Sequence, residues 1–233
     1  VLVCSLAALG AIAFSYWQGQ QAYSRVSDAA DLDTAETLDL DSSLVDWDAL
    51  AAINSDIVAW IYIPGSNINY PVVKGADDSY YLTHDFEGAQ GGLTNNGCIF
   101  LHSENATDFS DQGSFIFGHH LNDGTMFSAF ADESAFQNQR TVYLLTPKLN
   151  MKLRSFSLVH CAADDPLLQT SFATAADLCD YLTDIESRSV ASVSDAPDVS
   201  TIDQFFALST CDNLASNGRY VLYCSMEQVG LPG

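Results

Sequence analysis
FFALSTC (205–211), DNLASNG (212–218) and RYVLYCSM (219–226) read as a strand, a turn and a second strand. The flanking runs are rich in aromatic and aliphatic residues, and the linker holds only small, polar and turn-forming ones apart from Leu214. A seven-residue connection between hairpin strands sets the last residue of one beside the first of the next, so Cys211 and Arg219 are expected as neighbours. A guanidinium stays charged and presents five donors in a fixed fork. Beside a thiol it favours the thiolate or holds a developing oxyanion.

Working outward, period-two patterning recurs at 59–63, 68–73, 97–101, 114–118, 141–146 and 150–161, broken by Pro64-Gly65, Asn95-Asn96-Gly97 and Pro147. With 205–210 and 219–226 this makes eight strands, and the fold class is mainly β with peripheral helices. Eight strands in one domain point to a closed or nearly closed barrel, which leaves no free edge. The stretch from Ala162 to Asp203 interrupts the pattern. Within it Phe172, Ala175/Ala176, Cys179, Leu182 and Ile185/Glu186 recur at helical spacing and predict a helix on the barrel between the sixth and seventh strands. Before the first strand, Ser43 and Asp46 form a capping pattern for a helix through Leu44, Trp47, Leu50, Ile53/Asn54 and Ile57, with a second short helix expected around Ser55 to Ala59.

The chain has 233 residues, 48% hydrophobic, with 30 Asp+Glu against 8 Lys+Arg and a net charge of −22. That balance excludes a nucleic-acid binder with a basic groove and disfavours docking on anionic lipid. Three regions follow. Residues 1–17 carry no charge and end in Tyr16-Trp17, which suits a membrane anchor; a cleaved signal peptide ending near Ala11-Ile12-Ala13 and a buried core helix are the alternatives. Residues 18–42 open an acidic tract, with eight carboxylates and no basic residue from Asp28 to Asp48, and are expected to form a solvated extracytoplasmic stalk. Residues 43–233 form the globular domain, placed outside a single-pass anchor because basic residues favour the cytoplasmic side.

A second chemistry-bearing stretch is FIFGHH (115–120), a strand ending in Gly118 and two histidines. Imidazole exchanges a proton near neutral pH, as a thiol nucleophile requires of its partner. His84, His102 and His160 lack such a context and are expected on the surface or in packing. Zinc ligand spacings, a GxSxG elbow, a Walker A loop and GxGxxG are all missing from the sequence, so no metal or cofactor is expected. Six cysteines are too sparse for a disulfide scaffold; Cys98, Cys179 and Cys224 are expected in the core.

Taken in order, these motifs resemble the class B sortases, membrane-anchored cysteine transpeptidases of Gram-positive bacteria. The resemblance covers about residues 44 to 226. It rests on IVAWIYIPG (57–65) with INYPVV (68–73), SYYLTHDF (79–86), Gly118-His119 with DGTMF (123–127), and LSTC (208–211) followed by RYV (219–221). It implies an eight-stranded sortase barrel with N-terminal helices and a helix between strands six and seven. Residue by residue it implies catalysis by His119, Cys211 and Arg219. One departure is His120, where class B members commonly have Asn. Ser209, two before the cysteine on the same strand face, and Leu82 are candidate contacts for a bound peptide.

The implied reaction cleaves a C-terminal sorting motif of secreted proteins, NPxT-like or PxTG-like, at the Thr carbonyl. The acyl group then passes to an amine of a peptidoglycan precursor, pilin joining being a variant. A secreted cysteine hydrolase and an anchored, non-enzymatic binding module are the alternative readings.

Overall fold
A computed structural model describes residues 36–90, 97–121, 123–130, 133–191, 193–212 and 217–232, with Ser5, Gly10, Tyr23, Val26, 28–30 and Leu32. Eight strands are present: β1 (Ile57–Tyr62), β2 (Asn69–Val73), β3 (Ile99–Leu101), β4 (Gly113–Phe117), β5 (Thr141–Leu145), β6 (Asn150–Ala162), β7 (Phe205–Cys211) and β8 (Gly218–Gly230). They close into a barrel in the order β1-β2-β3-β4-β7-β8-β6-β5. The eight-stranded expectation holds, and the bounds differ from it by a few residues at most strand ends. Two neighbouring pairs, β2 with β3 and β4 with β7, run parallel. The second of these sets the ends of β4 and β7 at the same rim, which matters for the site.

Alternation along the strands divides the apolar side chains between two faces. Ile116 on β4, Phe206 and Leu208 on β7, and Leu222 on β8 point into the barrel core. Phe115, Phe205, Ala207, Val221 and Tyr223 point outward, where a helix covers them. On the opposite outer side Trp60, Tyr62, Phe100 and Tyr143 are covered by Val26, Ala30, Leu32, Leu40 and Leu50. Both faces of the sheet are therefore dry over much of its area, which is why runs such as FFAL lack a polar alternate. Phe117 packs against both outer layers and marks the seam between them.

Three α-helices outside the barrel are described over their whole length: α1 (Trp47–Ile53), α2 (Glu133–Asn138) and α3 (Ala175–Ser187). In α1 the cap is Asp46, whose carboxylate accepts from the Ala49 amide, and not Ser43. The second short helix expected at 55–59 is replaced by β1. Asn54-Ser55-Asp56 turns the chain, and the β-branched pair Ile57-Val58 then enters the sheet, where such side chains pack well.

Helix α3 is where the 162–203 excursion was expected to be helical. Thr174 and Asp177 form a reciprocal capping box. Its buried stripe is Leu178, Leu182 and Ile185, with Tyr181 beside it, while Ala175 and Ala176 are exposed and Cys179 is half-buried. Leu182 and Ile185 are buried as predicted, while in the first turns Leu178 takes the place of the expected Ala175, Ala176 and Cys179, because the large side chains pack with Phe205 and Tyr223. Burying those three aliphatic side chains stabilises the docked helix by roughly 1.5–3 kcal/mol each.

The expectation of a solvated stalk at 18–42 is corrected where residues are described. Val26, Ala30, Leu32 and Leu40 are buried, and the Leu40 carbonyl accepts from Asn150 Nδ2 at 2.9 Å. The apolar residues scattered among the carboxylates are what dock this segment on the barrel. The expected anchor at 1–17 lies outside the described residues except for Ser5 and Gly10. Among the described residues no helix is long and apolar enough to cross a membrane.

Candidate active site
β7 and β8 are in antiparallel register down to a last pair, Cys211 opposite Arg219. The sequence expectation of neighbours is met, and Arg219 Nη1 donates to Cys211 Sγ at 3.2 Å. Cys211 continues the outward-facing row of Phe205 and Ala207, but lies past the helix that covers them and is half-exposed.

β4 pairs with β7 as far as Phe117 and Ser209, and the Gly118 amide extends the ladder by donating to the Ser209 carbonyl at 3.0 Å. His119 stands two residues beyond Phe117 and Cys211 two beyond Ser209. Their backbones therefore emerge at the same rim, at the ends of neighbouring strands. Gly118 is required here, since a Cβ would come within 2.6 Å of the Phe127 ring. Gly97, at φ +20°, gives equal clearance on the other side: a Cβ there would lie 2.7 Å from the His119 ring.

The two imidazoles are held differently. His119 Nε2 donates to the Leu82 carbonyl at 2.7 Å, and His120 Nδ1 donates to the Cys211 carbonyl at 2.9 Å. A carbonyl oxygen only accepts, so Nε2 of His119 carries a proton. Nδ1 is then the nitrogen of His119 left to exchange one. His120 is instead tied to the backbone of the thiol-bearing residue.

Leu82, at the end of the 3-10 turn Tyr80–Leu82, is 41% exposed beside this rim. Ser209 is only 4% exposed, so its side chain offers a bound peptide little surface; its contribution is the carbonyl that fixes Gly118.

Two histidines read from sequence as surface or packing residues have defined partners. His160 Nε2 meets Asp212 Oδ2 at 2.9 Å and its ring stacks on Tyr220, with centroids 4.4 Å apart. Asp212 directly follows the thiol-bearing residue and its side chain is buried. His102 Nδ1 meets Asp78 Oδ2 at 2.6 Å. Both contacts join residues far apart in sequence, so no local pattern announces them.

The other thiols are differently placed. Burial pushes Cys98 up to about 12 and raises Cys224 as well. Cys161, opposite Arg219 on the β6 side, is also raised by burial, with nearby Arg188 and Arg219 opposing. Cys98 and Cys224 are buried as expected, and all five described cysteines are free. Among the described residues no group of three or more His, Cys, Asp or Glu side chains is placed to hold a metal ion.

A closed eight-stranded barrel with a cysteine held by an arginine at one rim, and histidines at the neighbouring strand end, defines a sortase-type cysteine transpeptidase. No protein-family model matches the chain. It is 28% identical to sortase B of Listeria monocytogenes over 221 residues, 89% of this chain and 88% of that one. It is also 28% identical to sortase B of Staphylococcus aureus over 173 residues, 73% of this chain and 69% of that one. The crystal structure of Clostridium perfringens sortase B superposes with a TM-score of 0.72 at 29% identity, covering 78% of this chain and 100% of the other. Barrel, site and likenesses together support a class B sortase, a cysteine transpeptidase that anchors proteins to the cell wall. That class implies proteins with sorting signals as substrates and peptidoglycan as acceptor.

Proposed function
We propose that Cys211, His119 and Arg219 carry out acyl transfer on a C-terminal sorting motif, NPxT-like or PxTG-like, in secreted proteins. The thiolate of Cys211 attacks the Thr carbonyl carbon, and Arg219 stabilises the oxyanion that forms. The C–N bond then breaks as His119 gives a proton to the leaving amine, which leaves a thioester. An amine of a peptidoglycan precursor attacks that thioester and gives up a proton to His119. The new amide forms and the thiolate of Cys211 departs. Leu82 lines the approach of the peptide, with Ser209 holding the strand end beneath it. Residues 1–17 act as a single-pass anchor that keeps the catalytic domain outside the cell.

The observation that carries this reading is the 3.2 Å contact between Arg219 Nη1 and Cys211 Sγ at the rim shared with His119. The test is turnover of a quenched sorting-motif peptide by the full chain, with a free amine acceptor and mass detection of the ligated product. Cys211→Ala is expected to abolish both cleavage and ligation; parent-like cleavage by that variant refutes the thioester route. His119→Ala and His120→Ala, made singly, separate the two imidazoles, since loss confined to His120→Ala transfers the proton role to His120.

A further inference from the structure
His102 is linked to His119 along two routes. It follows β3 on the outer face, is only 7% exposed, and meets Phe117 edge-on with ring centroids 6.1 Å apart. Phe117 ends β4, two residues before His119. The second route passes through the turn that holds the His119 imidazole. His102 Nδ1 donates to Asp78 Oδ2 at 2.6 Å, and Asp78 Oδ1 accepts from the Ser103 amide at 2.7 Å. Asp78 lies two residues ahead of the Tyr80–Leu82 turn, whose last carbonyl accepts from His119 Nε2. The turn is pinned again at its centre, where buried Tyr81 donates its hydroxyl to Asp56 Oδ2 at 2.8 Å.

The residue type at 102 is informative because it is a poor choice for packing alone. Its Nε2 is buried without a hydrogen-bond partner; the nearest carboxylate oxygen recorded for it is Glu104 Oε2, at 3.9 Å. A buried polar atom left unpaired costs free energy, and a phenyl ring would fill the same space beside Phe117 without that cost. What imidazole adds is the bond to Asp78.

We propose that His102 is a positioning residue for the transpeptidation: paired with Asp78, it fixes the Tyr80–Leu82 turn, and through the Leu82 carbonyl it orients the His119 imidazole. The proposal rests on His119 as the proton donor of the preceding section. A donor turned away from the leaving amine slows the chemical step far more than it weakens substrate binding.

The test uses full chain labelled with 15N in its histidines, with the His119 ring signals assigned by their loss in His119→Ala. His102→Phe keeps the ring packing and removes the donor. It is expected to shift the His119 ring signals and to lower kcat roughly 10- to 100-fold, with a much smaller change in KM. His102→Asn, whose amide can still donate to Asp78, is expected to restore both towards the parent. Asp78→Ala, at a partly exposed carboxylate and with its fold checked by its melting temperature, is expected to reproduce the His102→Phe effects, and the double variant to be no worse than either single one. Unshifted His119 signals in Asp78→Ala, or equal losses in His102→Asn and His102→Phe, overturn the proposal. If His119→Ala itself retains turnover, it is the role of His119 that fails, and the ring signals still report whether His102 orients it.

Discussion

Replacing Arg219 tests the centre of the site most sharply, and the size of the effect follows from its geometry. Nη1 lies 3.2 Å from Sγ, so in the proposed reaction the guanidinium would stand beside the carbonyl under attack, where negative charge develops in the transition state. Loss of one such donor costs about 2.7–4 kcal/mol, or about 100- to 1000-fold in kcat, and Arg219→Ala is expected in that range with KM little changed. Arg219→Lys keeps the charge but ends about one bond, 1.3 Å, short. Taking the 3.2 Å reach to sulfur as the scale for the adjacent oxyanion, withdrawing a unit charge to about 4.5 Å at an effective dielectric near 20 loses about 1.5 kcal/mol, so Lys should sit about tenfold below the parent and well above Ala. The assay is steady-state turnover of the sorting-motif peptide, with melting temperatures to verify folding. An Ala variant within threefold of the parent, or a Lys variant no better than Ala, would falsify the electrostatic account.

Three further outcomes follow from the packing. Gly218→Ala would put a Cβ 2.8 Å from the Cys161 carbonyl and against Asp212 Oδ2, so the strand start carrying Arg219 has to move. A stability loss of about 1–3 kcal/mol with reduced turnover is expected, and parent-like values in urea melts and kinetics would contradict it. The buried thiols give a pH dependence. Cys98 holds its proton up to about 12 when folded, whereas an unfolded chain releases it near pH 8.5. The corresponding stability is fully present below the unfolded value and is lost as pH rises towards the folded one. Melting temperatures should therefore fall from pH 9 to 11, and a flat or rising profile counts against the argument. In the same protein at pH 8, a thiol reagent should modify Cys211 ahead of Cys98, whose thiolate fraction is about one in 10⁴.

How far the sequence could be read depended on whether the deciding contacts were local. β7 and β8 were legible because their pairing is set by a short linker, and the Cys211–Arg219 contact came with it. The helix in the 162–203 excursion was legible as a helix, and Leu182 and Ile185 of its expected stripe are buried, but its first turns were misassigned, Leu178 being buried where Ala175, Ala176 and Cys179 were expected. Ala175, Ala176 and Cys179 satisfy the same period as Leu178, Tyr181 and Leu182, and only the position of Phe205 and Tyr223 on the barrel decides between them. The acidic tract misled for a related reason. Its carboxylates dominate the composition, yet Val26, Ala30, Leu32 and Leu40 between them are the residues that dock. His102 and His160 carried no signal at all, since their carboxylate partners lie 24 and 52 residues away.

The parallel pairing of β4 with β7 also bears on when the enzyme becomes reactive. The rim contact between His120 and the Cys211 carbonyl spans 91 residues of sequence, and parallel neighbours cannot zip together from a tight hairpin. Contacts of such sequence separation carry a loop-closure cost that must be met before they stabilise anything, which slows their formation. The thiol therefore stays apart from the imidazoles until the barrel closes, although Arg219 lies close to it in sequence. For the proposed mechanism this means that a partly folded chain has the thiol but not the imidazoles beside it, and barrel closure is the step that completes the site.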